Sequence, residues 1–195
     1  MTRIVLSAGL AAMMSTAIVG TASAKMPGPS SMVGEGTIMV GDAPMYPTRN
    51  IIQNAIHSRD HTTLVELVKA AGLVHALEGM GPFTVFAPTN EAFADLPAGT
   101  VQSLMKPKNK ADLVKILEYH VVPGDYNTTK LRSMILSGGG KATLKTLEGG
   151  TLTVMMNGSS NIIVKDEKGG VADITVADVH QSNGVIQVID HVLMP

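Results

Sequence analysis

Cysteine and tryptophan are absent from this 195-residue chain, and it has only three phenylalanines and three tyrosines. Without cysteine there is no disulfide, no lipidated cysteine for a lipoprotein anchor and no thiolate for a zinc site, so the fold rests on its apolar core. So few aromatic rings leave little with which to stack sugars or unpaired bases. Excess positive charge is missing too: 15 Lys and Arg stand against 16 Asp and Glu. The chain therefore has no electrostatic reason to bind nucleic acid. Lys106-Pro107-Lys108-Asn109-Lys110 is the most basic stretch, and it reads as a solvated loop leading into a helix. The C-terminal VIDHVLMP is too short for a membrane span or a GPI signal.

The N-terminus carries an address. Arg3 forms a positive n-region, Ile4 to Val19 a small and apolar h-region, and Ala22-Ser23-Ala24 an A-x-A site, so residues 1–24 read as a secretory signal peptide. No twin-arginine pair is present, which favours the general secretion route. The mature chain, 25–195, would be secreted or periplasmic, with 14 basic and 16 acidic residues and no membrane span. Residues 25–48, rich in Met, Pro, Gly and Ser, read as a flexible tether whose end at Ala43–Pro47 docks onto a domain at 49–195.

Within that domain helices come first. Leu64, Leu67, Val68 and Ala71 recur at helical spacing before Gly72, and Ile51, Ile52, Ala55 and Ile56 make a shorter apolar face. Leu113, Ile116, Leu117 and His120 place a histidine on a buried stripe ahead of a Pro123-Gly124 stop. Leu131, Met134 and Ile135 suggest one more short helix. Strands follow. Residues 151–156 and 161–165 flank Asn157-Gly158 as a hairpin, and Gly184–Leu193, apolar on both faces, belongs mid-sheet. Helices first and strands last, with one early strand, indicate an α+β domain.

The early strand is the most informative stretch. In GPFTVFAPTNEAFADLP, Gly81 to Pro97, the run Phe83–Ala87 breaks at Pro88 into Thr89, a suitable helix N-cap, with Glu91 in the first turn. Phe83, Phe86 and Phe93 read as one aromatic clamp between strand and helix. FTVFAPTNEAFADLP resembles the first signature block of fasciclin-type domains. ITVADVHQSNGVIQVIDHVLMP, Ile174 to Pro195, is similar to their second block, and Leu117–Val122 resembles their Tyr-His motif. The resemblance covers roughly 50–195 and implies two β-sheets in a wedge with helices packed around them. It also implies that the second block's strand pairs with that of the first.

No catalytic set emerges. There is no G-x-S-x-G elbow, and Ser137-Gly138-Gly139-Gly140-Lys141 departs from a phosphate loop in lacking the first glycine and in carrying Ala142. His57 and His61 stand four apart, but Ser58-Arg59-Asp60 breaks the helix between them, so they share no face for zinc. Asp173 and Asp178 read as solvated or capping carboxylates. The expectation is therefore neither enzyme nor cofactor.

The family resemblance implies partner contact at Tyr119 and His120, and at Asp178 and Val179 by analogy with an integrin motif of animal members. Val176, Ala177 and His180 depart from that motif. The leading reading is a bacterial extracytoplasmic module binding a protein or cell-surface component. The alternative is a carrier of an apolar molecule, a carotenoid or lipid, because ten of the 13 methionines lie beyond the leader and methionine adapts to irregular apolar ligands.

Overall fold

The computed structural model describes residues 36–195. A short hairpin opens it, β1 (Ile38–Val40) paired antiparallel with β2 (Ala43–Met45). Gly41 and Asp42 both take positive φ, 58° and 59°, as a tight two-residue hairpin turn requires. Val40, Ala43 and Met45 are buried. The expected tether over 25–48 is thus corrected for its last part, because alternating side chains of the hairpin enter the core. Residues 25–35 of that segment, and residues 1–24 read as a leader, lie outside the described residues.

A helical layer follows. Asn50 caps α1 (Ile51–Ala55) in a reciprocal box with Gln53. A 3₁₀ turn at Arg59–His61 leads into α2 (Thr62–Ala71), which ends where Gly72 adopts φ +79°. After α3 (Val74–Glu78) comes β3 (Phe83–Pro88). Thr89 then caps α4 (Asn90–Ala94), its hydroxyl accepting from the Ala92 N–H at 3.3 Å. The segment continues through α5 (Thr100–Leu104), α6 (Lys110–Tyr119), β4 (Val121–Pro123) and α7 (Thr128–Ser137). Helix α6 stops at Tyr119 rather than at Pro123-Gly124, because Val121 and Val122 turn extended to pair with β3.

The remainder is sheet: β5 (Lys141–Lys145), β6 (Thr151–Asn157), β7 (Asn161–Lys165), β8 (Val171–Gln181) and β9 (Gly184–Ile189). The strand order is β4-β3-β9-β8-β7-β6-β5. β9 lies parallel to β3, with Phe83 opposite Gly184 and Pro88 opposite Ile189, as the family resemblance implies. The eleven-residue β8 serves two sheets. Its first residues, Val171–Asp173, pair with β7, and its later ones pair with β9 across two register shifts, Ile174/Val176 and Val176/Val179. Such bulges bend a strand and increase its twist, so the two sheets diverge as a wedge.

Two apolar cores result. The first gathers Leu64, Leu67, Val85, Leu113, Leu117 and Ile186 beneath the helices. The second gathers Phe86, Tyr119, Leu131, Ile135, Val154 and Ile189 against α7. Successive residues of a strand face opposite ways. Phe86 therefore enters the second core, while Phe83 and Phe93 pack with the first. The three rings do not form one clamp.

Candidate functional site

The end of α6 carries the Tyr-His pair, and each side chain is fully engaged. Tyr119 is completely buried. Its hydroxyl donates to the Thr151 carbonyl at 2.8 Å and accepts from the Glu167 N–H at 3.1 Å, tying α6 to the second sheet. Burial raises its pKa, the charged phenolate being the form that loses hydration. His120 caps the helix with Nδ1–H donating to the Ile116 carbonyl at 2.8 Å. Its Nε2 accepts from the Leu193 N–H at 3.0 Å. Those two partners define a neutral tautomer, and burial lowers the pKa to about 4.

Asp178 sits in the β8 bulge with φ +57°, a conformation that Asp tolerates better than most residues. Its carboxylate accepts from the Thr128 N–H at 2.7 Å, from the Thr128 hydroxyl and from Gln187 Nε2 at 2.9 Å. Partial burial would raise its pKa, but the hydrogen bonds from Thr128 and Gln187 outweigh it and hold the pKa below the ordinary value. The carboxylate thus clamps the first turn of α7 to the central sheet. Val179 beside it is buried in the first core.

The four residues implied as partner contacts are therefore not a surface patch. Tyr119, His120 and Val179 are buried, and Asp178 spends its carboxylate on the fold. Their shared property is that they join elements far apart in sequence. The fully hydrogen-bonded His120 follows from its place on an apolar stripe, whereas the roles of Tyr119 and Asp178 depend on strands that sequence spacing does not locate.

Solvent-facing features lie elsewhere. An open cleft of about 590 Å³ is lined by Asn50, Glu78, Met80, Asp125, His180 and Ser182, among others. Met80 on its rim is 100% exposed. Asn183 organises its wall: Oδ1 accepts from the Ile51 N–H, and Nδ2 donates to the carbonyls of Leu77 and Gly79. A narrower slot of about 60 Å³, almost wholly apolar, runs between α1, α2 and α3 over Val85, Leu117 and Val121. Mostly aliphatic residues line it, with Phe86, His120 and Lys69 and no methionine. Among the described residues no group of three or more His, Asp or Glu is arranged to hold a metal ion. His57 is exposed and His61 buried, on either side of the break between α1 and α2.

The wedge of sheets and the β3–β9 pairing are matched by relationship. Residues 59–195 match the Fasciclin domain family, and the chain belongs to it. It is 47% identical over 163 residues to Protein sll1483 of Synechocystis, covering 83% of this chain and 82% of that protein. It is 36% identical over 163 residues to transforming growth factor-beta-induced protein ig-h3 of Sus scrofa, spanning 82% of this chain but 21% of that one. Among solved structures it matches a FAS1 domain pair from the insect cell adhesion molecule Fasciclin I, with a TM-score of 0.66 over 75% of this chain and 51% of that chain. At 18% identity that is a likeness of fold. None of these relatives bears an enzyme's name.

Proposed function

We propose that this is an extracytoplasmic, non-enzymatic fasciclin-type module that associates with a protein or cell-surface component. In this reading residues 1–24 are the leader, and the functional domain begins with the β1–β2 hairpin. Membership of the fasciclin family carries the reading, and the fully exposed Met80 beside the open cleft marks where contact is best sought. An exposed apolar side chain over a polar concavity suits a partner that buries the one and hydrogen-bonds in the other. The Tyr-His pair and Asp178 would support that surface through the fold.

The test places a photo-crosslinking residue at position 80 of the full chain, expressed in its own host. Adducts to a surface protein or polysaccharide, absent when the crosslinker sits at Leu136, would support the module. Leu136 is a control because it is 77% exposed on α7, a different element. Adducts appearing equally at both positions, or at neither, would reject contact at the cleft.

A second reading, a carrier of a lipid or carotenoid, would place the ligand along the apolar slot, which at about 60 Å³ must widen to admit one. Native mass spectrometry and an absorption spectrum of protein from the extracytoplasmic fraction decide it. An added mass or a visible band would support the carrier, and a bare chain would dismiss it.

A further inference from the structure

His61 is out of keeping with its surroundings. It is 3% exposed, and its Nδ1 meets the Ser58 hydroxyl at 2.9 Å. Its Nε2 is buried without a hydrogen-bond partner. The ring borders a cavity of about 30 Å³, otherwise walled by the aliphatic side chains of Ile51, Leu64, Val85 and Ile186 together with Val40 and Met45 of the hairpin. The cover over this histidine is therefore partly made by β1 and β2. These strands pair with each other and with no strand of the main sheet.

The hairpin has a hinge and a latch. At its base, Asn54 fixes Tyr46 by accepting from its N–H at 3.1 Å and donating to its carbonyl at 2.8 Å. At its tip, the Gly41 carbonyl accepts from the Arg59 N–H at 3.2 Å, on the turn that carries His61. A Cβ at Gly41 would lie 2.6 Å from the Asp60 nitrogen and 2.7 Å from Ser58 Oγ, so the tip presses directly on that turn.

We propose that the β1–β2 hairpin is an acid-released strap: protonation of His61 opens it from the face formed by α1, β3 and β9 while the rest of the domain stays folded. In the closed state Nε2 makes no hydrogen bond, and the polar groups beside the ring are the Ser58 hydroxyl at Nδ1 and the Ala87 backbone of β3, which favours the charged form. The charged groups nearby are Asp60 and Arg59 on the same turn, Asp42 at the hairpin tip, 3.7 Å from Arg59, and Glu91 at the start of α4. Burial lowers the pKa of His61, outweighing the Ala87 backbone and Asp60, both of which favour the imidazolium. The side chains that α1, α2, β3, β8 and β9 turn towards the cavity cannot titrate. Opening the strap gives the imidazolium water and leaves the main sheet's hydrogen bonds intact.

Hydrogen exchange on the full chain, corrected for the pH dependence of intrinsic exchange, tests this. Amides of residues 38–45 are compared with those of β9 from pH 7.5 to 5. The strap predicts that opening at 38–45 grows by up to about tenfold per pH unit below about 6.5, while β9 keeps a higher protection throughout. The variant His61→Phe, apolar and unable to titrate, should abolish that growth, whereas His120→Gln should retain it. Hairpin amides that exchange in step with β9 at every pH would overturn the proposal, as would an unchanged acid response in His61→Phe. If His61→Phe does not fold, the comparison of hairpin with β9 in the natural sequence decides alone.

Discussion

Tyr119 and His120 are neighbours whose side chains anchor different things: one reaches across to the start of β6 and the turn after β7, the other holds the chain just past β9. Tyr119→Phe keeps the ring and removes both hydrogen bonds, leaving the Glu167 N–H and the Thr151 carbonyl to find other partners. A loss of about 1–3 kcal/mol in urea unfolding is expected. His120→Ala also opens a cavity, and about 2–4 kcal/mol should go. Loss of partner binding by His120→Ala at undiminished stability would contradict the role given to it here. At Asp178, Asn keeps the tolerance for positive φ and can accept from Thr128, so Asp178→Asn should cost less than Asp178→Ala. A thermal melt that ranks them the other way would remove φ and hydrogen bonding as the explanation. The burial of His120 was legible from its helical spacing. Asp178 was read as a solvated or capping carboxylate, but that it would hold Thr128, 50 residues earlier in the chain, was not legible.

The β8–β9 hairpin and its neighbour β3 depend on a backbone approach that excludes side chains. Gly184 has φ +154°, and a Cβ there would lie 1.9 Å from the Phe83 carbonyl oxygen. Gly184→Val should therefore prevent or severely weaken folding, losing several kcal/mol, and a variant with an unchanged melting temperature would refute this. Elements with a strong period were legible: α2, α6, the β6–β7 hairpin with its Asn-Gly turn, and β9 as a doubly buried strand. The β1–β2 hairpin was not. Its strands have three residues each, one contains Pro44, and the surrounding glycines and prolines look like a linker until the core they cover is known. The misplacement of Phe86 has a similar origin, because three rings close in sequence straddle a sheet that separates two cores. Sequence proximity carried no information about which side each would take.

At the scale of the whole molecule, acid should be the destabilising condition. His120 has a pKa of about 4 in the folded chain and an ordinary value near 6.5 when unfolded, so the unfolded chain takes up a proton first as pH falls. The stabilisation is complete above pH 6.5 and is lost progressively towards pH 4, about 3 kcal/mol from this residue. His61 acts in the same direction. Asp178, whose pKa is lowered from an already acidic value, gives up its contribution only below that window. Chemical denaturation at a series of pH values should show the decline beginning near 6.5, and a flat profile down to pH 4.5 would contradict the buried neutral state of His120. The wedge itself was legible only through resemblance to other domains, since no local pattern states that one long strand will be divided between two sheets.

The parallel contact of β3 with β9 joins residues about a hundred positions apart, Phe83 with Gly184 and Pro88 with Ile189. Closing a loop of that length costs entropy before any contact rewards it, so this pairing belongs to the slow class of folding events. A growing chain has no complete central sheet until β9 is available, because β9 separates β3 from β8. Every nascent length short of that leaves two half-sheets with open edges. The order of the strands thus works as a timer: the domain commits to its structure only once β9 has emerged.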